Sequence, residues 1–303
     1  MTPISEVGRF GSTLTAMITP FDAEGRLDVD GAVTLARHLV AHGNDGLVLA
    51  GTTGESPVLT DEEKTDLWRA VAEAVAVPVI AGSGTYDTAH SIELTKTAEA
   101  CGVAGILAVC PYYNRPSQAG IEAHFRAVAG ATSLPVMLYD IPIRAGRKVS
   151  GGVLLRLASE VTNIVAVKDA GNDVVAAARL IAEAPDGFEL YSGDDVLTLP
   201  LLSVGAVGVV SVAAHWVGEQ ITEMILAFRN GDPLLARQIN ARILDAVAFQ
   251  TSDETPNPVP AKAMLRELGL PAGECRLPHV EPPGADLAAR ARKLIDELGL
   301  ARA

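Results

Sequence analysis

Eight short apolar segments alternate with longer amphipathic ones through the first three quarters of the chain. This alternation predicts a (β/α)8 TIM barrel with a C-terminal three-helix extension. The apolar segments are nearly continuous and do not alternate with polar residues, which is the pattern of parallel strands covered on both faces. A doubly wound sheet is the competing architecture, but no glycine fingerprint opens a helix after the first strand. "AGSGTYDT" lacks the full dinucleotide-binding pattern.

The first strand is "TLTAMITPF", followed by the helix "DGAVTLARHLVAHG". The second, "DGLVLAG", runs into "GTTGESPVLTDEEK", residues Gly51 to Lys64. Within that stretch Thr60 and Glu63 form a capping box. Leu67, Val71 and Val75 then recur at helical spacing, so a helix starts at "TDEEK". "VPVIAGSG" and "GILAVCP" are the third and fourth strands, each followed by a helix, "TAHSIELTKTAEACG" and "QAGIEAHFRAVAGAT". The remaining strands are "PVMLYDI", "IVAVKDA", "FELYSGDD" and "VGVVSVAA". No charge occurs from Val196 to Ala214, a length that raises the question of a membrane helix. Pro200, Gly205 and Gly208 interrupt it, and a short buried helix turning into a buried strand fits better. The barrel is expected over residues 1–230. From residue 231 to 303 the strands stop, and three helices are separated by the proline-rich "ETPNPVP" and "LPHVEPPG".

Composition narrows the function. The chain has 303 residues, is 49% hydrophobic and carries a formal charge of −13, which argues against nucleic acid and anionic membranes as partners. An anionic substrate must therefore be held by local groups. The three cysteines lack metal or redox spacing, and "MTPISEVGRFGS" has no apolar leader core; both suit the cytoplasm.

In a barrel the chemistry belongs at the C-terminal strand ends. Those ends carry Thr52 and Thr53, Tyr112 and Tyr113, Tyr139 and Arg144, Lys168 and Asp169, and Ser192 and Gly193. Lys168 closes an otherwise apolar strand. A desolvated ammonium has a lowered pKa, and the neutral amine attacks carbonyls to form a Schiff base. The alternative is a lysine that pairs with Asp169 or binds a phosphate. Tyr139, Tyr113 and Thr52 supply hydroxyls for the proton transfers a carbinolamine needs, although a strand-end tyrosine can equally be an aromatic wall. The glycine-flanked Thr52–Thr53 turn offers amides and hydroxyls as a carboxylate cradle. Arg144 is either a bidentate carboxylate clamp or a solvated loop arginine. Glu55 is expected as buried support beneath the turn. His38 and His42 lack the rest of a metal motif and are expected on a helix surface, so no metal and no cofactor is expected.

Together "GTTGES", "PYYNRPSQ", "LYDIP", "VAVKDA", "YSGDD" and "GVVSVAA", in this order, closely resemble the pyruvate-dependent lyase and synthase family that includes N-acetylneuraminate lyase and dihydrodipicolinate synthase. The likeness runs from about Phe10 to Leu270, and "NPVPAKAMLRELGL" resembles the synthase branch. It implies that Lys168 forms the Schiff base with pyruvate. Tyr139, Thr52 and Tyr113 would form a proton relay, with Tyr113 reaching in from a neighbouring subunit. Thr53 would hold the pyruvate carboxylate and Arg144 that of aspartate semialdehyde, while Gly193 and Val210 would line the pocket. Asp140, Val210 and Cys110 depart from the commoner residues.

The Thr-Thr turn and the arginine after the fifth strand favour the synthase branch, in which pyruvate condenses with L-aspartate 4-semialdehyde on the route to diaminopimelate and lysine. Two alternatives are an aldolase cleaving a sugar acid, such as N-acetylneuraminate or 2-keto-3-deoxygluconate, and a non-catalytic keto-acid-binding barrel. The resemblance also implies a homo-oligomer, a tetramer built as a dimer of dimers. Many relatives are inhibited by lysine through an asparagine and, four residues later, a glutamate. Here Tyr86 and His90 take those positions, which predicts weak or absent inhibition.

Overall fold

The computed structural model describes residues 7–302. The leader reading falls partly on residues 1–6, outside the described residues. Eight parallel strands close into one barrel in sequential order: β1 (Thr13–Ala16), β2 (Gly46–Leu49), β3 (Val79–Gly82), β4 (Gly105–Val109), β5 (Val136–Asp140), β6 (Ile164–Asp169), β7 (Glu189–Ser192) and β8 (Gly208–Ser211). Each lies inside the segment expected for it.

The helices between strands are α1 (Val29–Ala41), α2 (Asp61–Ala74), α3 (Thr88–Ala100), α4 (Gln118–Ala129), the four-residue α5 (Pro142–Ala145), α6 (Gly151–Glu160), α7 (Val174–Glu183) and α8 (Thr198–Leu202). After β8 come α9 (Ala214–Arg229), α10 (Pro233–Ala248), α11 (Val259–Glu267) and α12 (Leu287–Leu298). The uncharged stretch at 196–214 contains α8 and β8, and among the described residues no helix is long and apolar enough to cross a membrane. The capping box at Thr60 is formed in both directions: its hydroxyl accepts from the Glu63 amide, and the Glu63 carboxylate accepts from the Thr60 amide.

Two apolar layers follow from the two faces of the strands. Inward residues, among them Leu14, Val48, Ile80, Leu107, Met137 and Ala166, fill the barrel. Outward residues pack against the helices in one larger core, which α10, α11 and α12 share through Ile243, Met264 and Ile295. Side chains alternate between these faces, so a single residue decides whether a strand-end group faces the interior or the helical shell.

The extension is fastened to the barrel by charge as well as by apolar packing. Lys262 of α11 sits 2.7 Å from Glu55, and both side chains are fully buried. The Lys262 ammonium also donates to the Glu274 carbonyl and lies 4.0 Å from the centre of the Phe21 ring. The second Glu55 oxygen accepts from the Arg276 amide at 2.9 Å, while the Arg276 guanidinium grips Glu63. Glu55 is thus buried support for the threonine turn, as its position after the second strand suggested. Removing one partner of such a pair leaves an uncompensated charge in the interior. Lys262→Met is expected to cost about 3–5 kcal/mol of unfolding free energy, read from the shift of the urea midpoint at fixed protein concentration.

Candidate active site

Lys168 and Tyr139 are register partners across β6 and β5, so both side chains enter the barrel on the same level. The Lys168 ammonium lies 4.3 Å from the centre of the Tyr139 ring, and the two residues are only 5% and 4% exposed. Burial pulls the Lys168 pKa down to about 8, with Asp195 opposing the shift and Arg144 adding to it. Among the described residues Lys168 makes no ion pair. Asp169, the pairing partner considered from sequence, lies on the other face of the strand and accepts from the Gly171 amide at 2.7 Å. That is the expected consequence of adjacent positions on one strand.

Burial pushes the Tyr139 pKa up to about 12, and the nearby Thr52 hydroxyl and Arg144 oppose the shift without overcoming it. Tyr139 is therefore a neutral donor and acceptor at ordinary pH, suited to passing a proton and not to holding a charge.

The Thr52–Thr53 turn is built differently from what its glycines suggest. The left-handed positions fall on Ala50 (φ 51°) and Glu55 (φ 56°), not on Gly51 or Gly54. Gly54 is required by crowding instead: a Cβ there would stand 3.1 Å from the Ala50 nitrogen and the Met17 oxygen. The turn is closed by the Glu55 and Ser56 amides donating to the Thr52 and Gly51 carbonyls. The amides of Thr52, Thr53 and Gly54 find no acceptor among the described residues, which suits a carboxylate cradle.

Sequence reasoning missed Asn257. It precedes α11, and its side-chain amide donates to the Thr53 hydroxyl at 2.9 Å. That bond occupies an oxygen lone pair and leaves the Thr53 proton free to donate to an anion. The Asn257 carbonyl also accepts from Arg144 at 3.4 Å. One tail residue therefore touches both expected carboxylate sites. "ETPNPVP" reads locally as a linker, so this tertiary contact has no signal in the chain near it.

A cavity of about 290 Å³ opens at these strand ends, and Thr52, Tyr139, Arg144, Tyr112, Ser56 and His279 are among the residues that line it. Gly193 and Val210 lie on the far side of the barrel. The Gly193 amide donates to the Asp169 carbonyl at 2.7 Å, and Val210 is buried in the barrel layer. Tyr113 is away from the cavity of its own barrel. It has φ 71° and is 93% exposed, while Tyr112 turns inward with its ring edge on Tyr86. Cys110 is buried beside Asp140, and desolvation raises its pKa to about 12, leaving an inert thiol. Asp140 faces the helical shell, where burial raises its pKa to about 6 with Lys148 3.6 Å away. His38 and His42 stack on the surface of α1. Among the described residues no group of three or more His, Cys, Asp or Glu side chains is arranged to hold a metal.

A buried amine with no ion pair among the described residues, on the same level as a phenol inside a closed barrel, is the arrangement that enzymes using an amine nucleophile on carbonyls require. Comparison with known proteins carries the assignment further. Residues 9–293 match the profile of the dihydrodipicolinate synthetase family. A 4-hydroxy-tetrahydrodipicolinate synthase of Moorella thermoacetica is 53% identical over 90% of this chain and 93% of its own. That of Bacillus subtilis is 47% identical over 89% of this chain and 93% of its own. The crystal structure of the Cyanidioschyzon merolae synthase with lysine bound superposes with a TM-score of 0.92 at 44% identity, covering 96% of this chain and 99% of that one. The chain belongs to the dihydrodipicolinate synthetase family, and it is a lyase.

The Lys168 environment sets a pH dependence. With a pKa of about 8 in place of the ordinary 10.5, about a tenth of the amine is neutral at pH 7 instead of about one part in three thousand. The group is a depressed base, so the reactive neutral form grows as pH rises through that value. Borohydride trapping of pyruvate is expected to accelerate with pH and level off above about 8; a rate still climbing tenfold per unit at pH 9 would contradict the lowered pKa.

Proposed function

We propose that the protein condenses pyruvate with L-aspartate 4-semialdehyde through a Schiff base on Lys168, yielding 4-hydroxy-tetrahydrodipicolinate on the route to diaminopimelate and lysine. The observation that carries the reading is the buried, unpaired Lys168 amine on the same barrel level as Tyr139. Thr53 and the free amides of its turn receive the pyruvate carboxylate, which sets the keto carbon within reach of the amine. Attack gives a carbinolamine, and the Tyr139–Thr52 pair moves the protons needed for its hydroxyl to leave as water. Loss of a methyl proton from the imine gives the enamine, whose carbon attacks the aldehyde. Arg144 holds the aldehyde's carboxylate. The α-amine of the joined product then attacks the imine carbon, closing the ring and releasing Lys168.

Tyr113 extends this relay from a neighbouring protomer. Its phenol projects into solvent from its own barrel, and Tyr86 and Ile143, at the same end, are also exposed. Exposed apolar side chains beside a site are the mark of a covered surface. The active unit is then at least a dimer, within a tetramer of two such pairs. A stable monomer with full activity in sedimentation and turnover assays would contradict it. The three cysteines are free, which supports a reducing compartment, the cytoplasm.

Lysine inhibition is expected to be weak or absent. His90 stands where sensitive relatives place a glutamate, and it is bonded to Asp61 at 2.8 Å. The neighbouring Asp87 is committed to its own helix, where one carboxylate oxygen caps α3 by accepting from the Ala89 and His90 amides. Loss of one charge-assisted bond is worth about ten- to a hundredfold in affinity. L-lysine titrated into the saturated assay is expected to leave turnover largely intact, and half-inhibition below about a millimolar would refute the substitution argument.

Two variants test the reaction itself. With borohydride and pyruvate, mass spectrometry is expected to find one reduced pyruvyl adduct on Lys168, absent in Lys168→Ala. Arg144→Ala is expected to retain that adduct while losing condensation with L-aspartate 4-semialdehyde by about a hundredfold in kcat/KM. Unimpaired condensation would remove Arg144 from its role, and no adduct in the parent enzyme would leave a non-catalytic keto-acid-binding barrel.

A further inference from the structure

The second substrate has three polar groups: an aldehyde that reacts, a carboxylate and an α-ammonium. Arg144 meets the carboxylate, which leaves the ammonium to be received by an acceptor on the cavity wall. Glu55 is on that wall, but its two oxygens are engaged by the Lys262 ammonium and the Arg276 amide. In the reading above Thr52 and Tyr139 serve the proton relay. The remaining side-chain acceptors are Ser56, Tyr112 and His279. Two of these are hydroxyls, and Tyr112 is half-buried against Tyr86. A neutral imidazole nitrogen is a stronger base than either hydroxyl and the better acceptor for a cation.

His279 is also held in place. Its amide donates to the Arg276 carbonyl at 3.1 Å, closing a turn. Arg276 is clamped in turn by four partners on the barrel side: Glu55 through its amide, and Gly25, Val58 and Glu63 through its guanidinium. The residues between them, Leu277 and Pro278, are exposed, and Pro278 joins His279 on the cavity wall. The His279 ring itself makes no hydrogen bond among the described residues. A tail strap is thus bolted beside the threonine turn and presents one uncommitted imidazole to the mouth of the site.

We propose that His279 is a specificity-determining residue that accepts a hydrogen bond from the α-ammonium of the aldehyde substrate. Resting on the condensation reading above, this role selects a 2-amino aldehyde acid over one lacking the amine. It makes the C-terminal extension part of the substrate site and not only a packing element. His279 is given no part in Schiff-base formation, whose groups are Lys168, Tyr139, Thr52 and Thr53.

Steady-state kinetics on the intact enzyme test it, with the inhibition constant of succinate semialdehyde, which has the carboxylate and aldehyde but no amine, measured alongside. His279→Ala is expected to raise KM for L-aspartate 4-semialdehyde about ten- to a hundredfold, with kcat falling far less and the succinate semialdehyde constant unmoved. His279→Gln, which keeps a side-chain acceptor, is expected to recover most of the loss. An unchanged aldehyde KM in His279→Ala, or equal weakening of both aldehydes, overturns the proposal, the second outcome assigning a wall role instead. Pyruvate trapping in the same variant separates the two levels. An intact adduct with an unmoved KM rejects this inference alone, whereas no adduct in the parent enzyme rejects the condensation reading with it.

Discussion

Lys168 stands in the interior of the barrel, 5% exposed, with no carboxylate against its ammonium among the described residues. The dominant influence on it is the absence of water, and that absence is produced by the layer of apolar side chains beneath it, Met137, Ala166 and Leu14 among them. Desolvation disfavours the charged form and makes an amine nucleophile available near neutral pH. The same burial works against stability. The unfolded chain binds a proton that the native state has partly released, so this penalty is fully present below pH 8 and fades as pH rises from there toward 10.5. The rest of the molecule offsets that cost and keeps the amine aimed.

Strand geometry supplies the aim. Parallel pairing puts Tyr139 and Lys168 side by side, and alternation sends Asp140 and Asp169, one residue further on, out to the helical shell. The two carboxylates are thereby kept off the amine. Placed inward, either would form an ion pair and raise the pKa that burial lowers. Asp140 is instead managed outside, by Lys148 and the Val149 amide. Register thus keeps the two adjacent strand carboxylates off the amine, and Asp195, which opposes the lowered pKa, makes no ion pair with it among the described residues.

The threonine turn is the second point of convergence. Glu55 sits in a left-handed conformation at its end, and its carboxylate joins Lys262 and Arg276 from the extension. Asn257 adds a third link through Thr53 and touches Arg144 as well. The contacts to Glu55 and Thr53 span more than two hundred positions in sequence and the one to Arg144 spans 113, so the extension and the cradle are fixed relative to one another. A buried ion pair is weak evidence for net stability, but its directional demands specify one arrangement. Here the arrangement is the one that orients the Thr53 hydroxyl and the strap carrying His279.

Much of this was legible in the chain itself. Eight apolar runs of nearly unbroken hydrophobicity determined a parallel barrel, because strands covered on both faces need apolar residues at every position. Thr60 and Glu63 determined a helix start, since capping is a local bond between residues three apart. An isolated lysine closing an apolar strand singled out a candidate, and strand register determined that it faces the barrel interior beside Tyr139. What the chain could not determine was contact across distance. Nothing near Asn257 or His279 announces a place at the site, and a proline-rich stretch reads as a linker until folding sets it against the barrel. Nor could local reading find that Ala50 and Glu55, not the glycines, take the left-handed positions. Gly54 is packed where a Cβ would crowd Met17, and Glu55 is paired with Lys262; both partners are brought there only by folding.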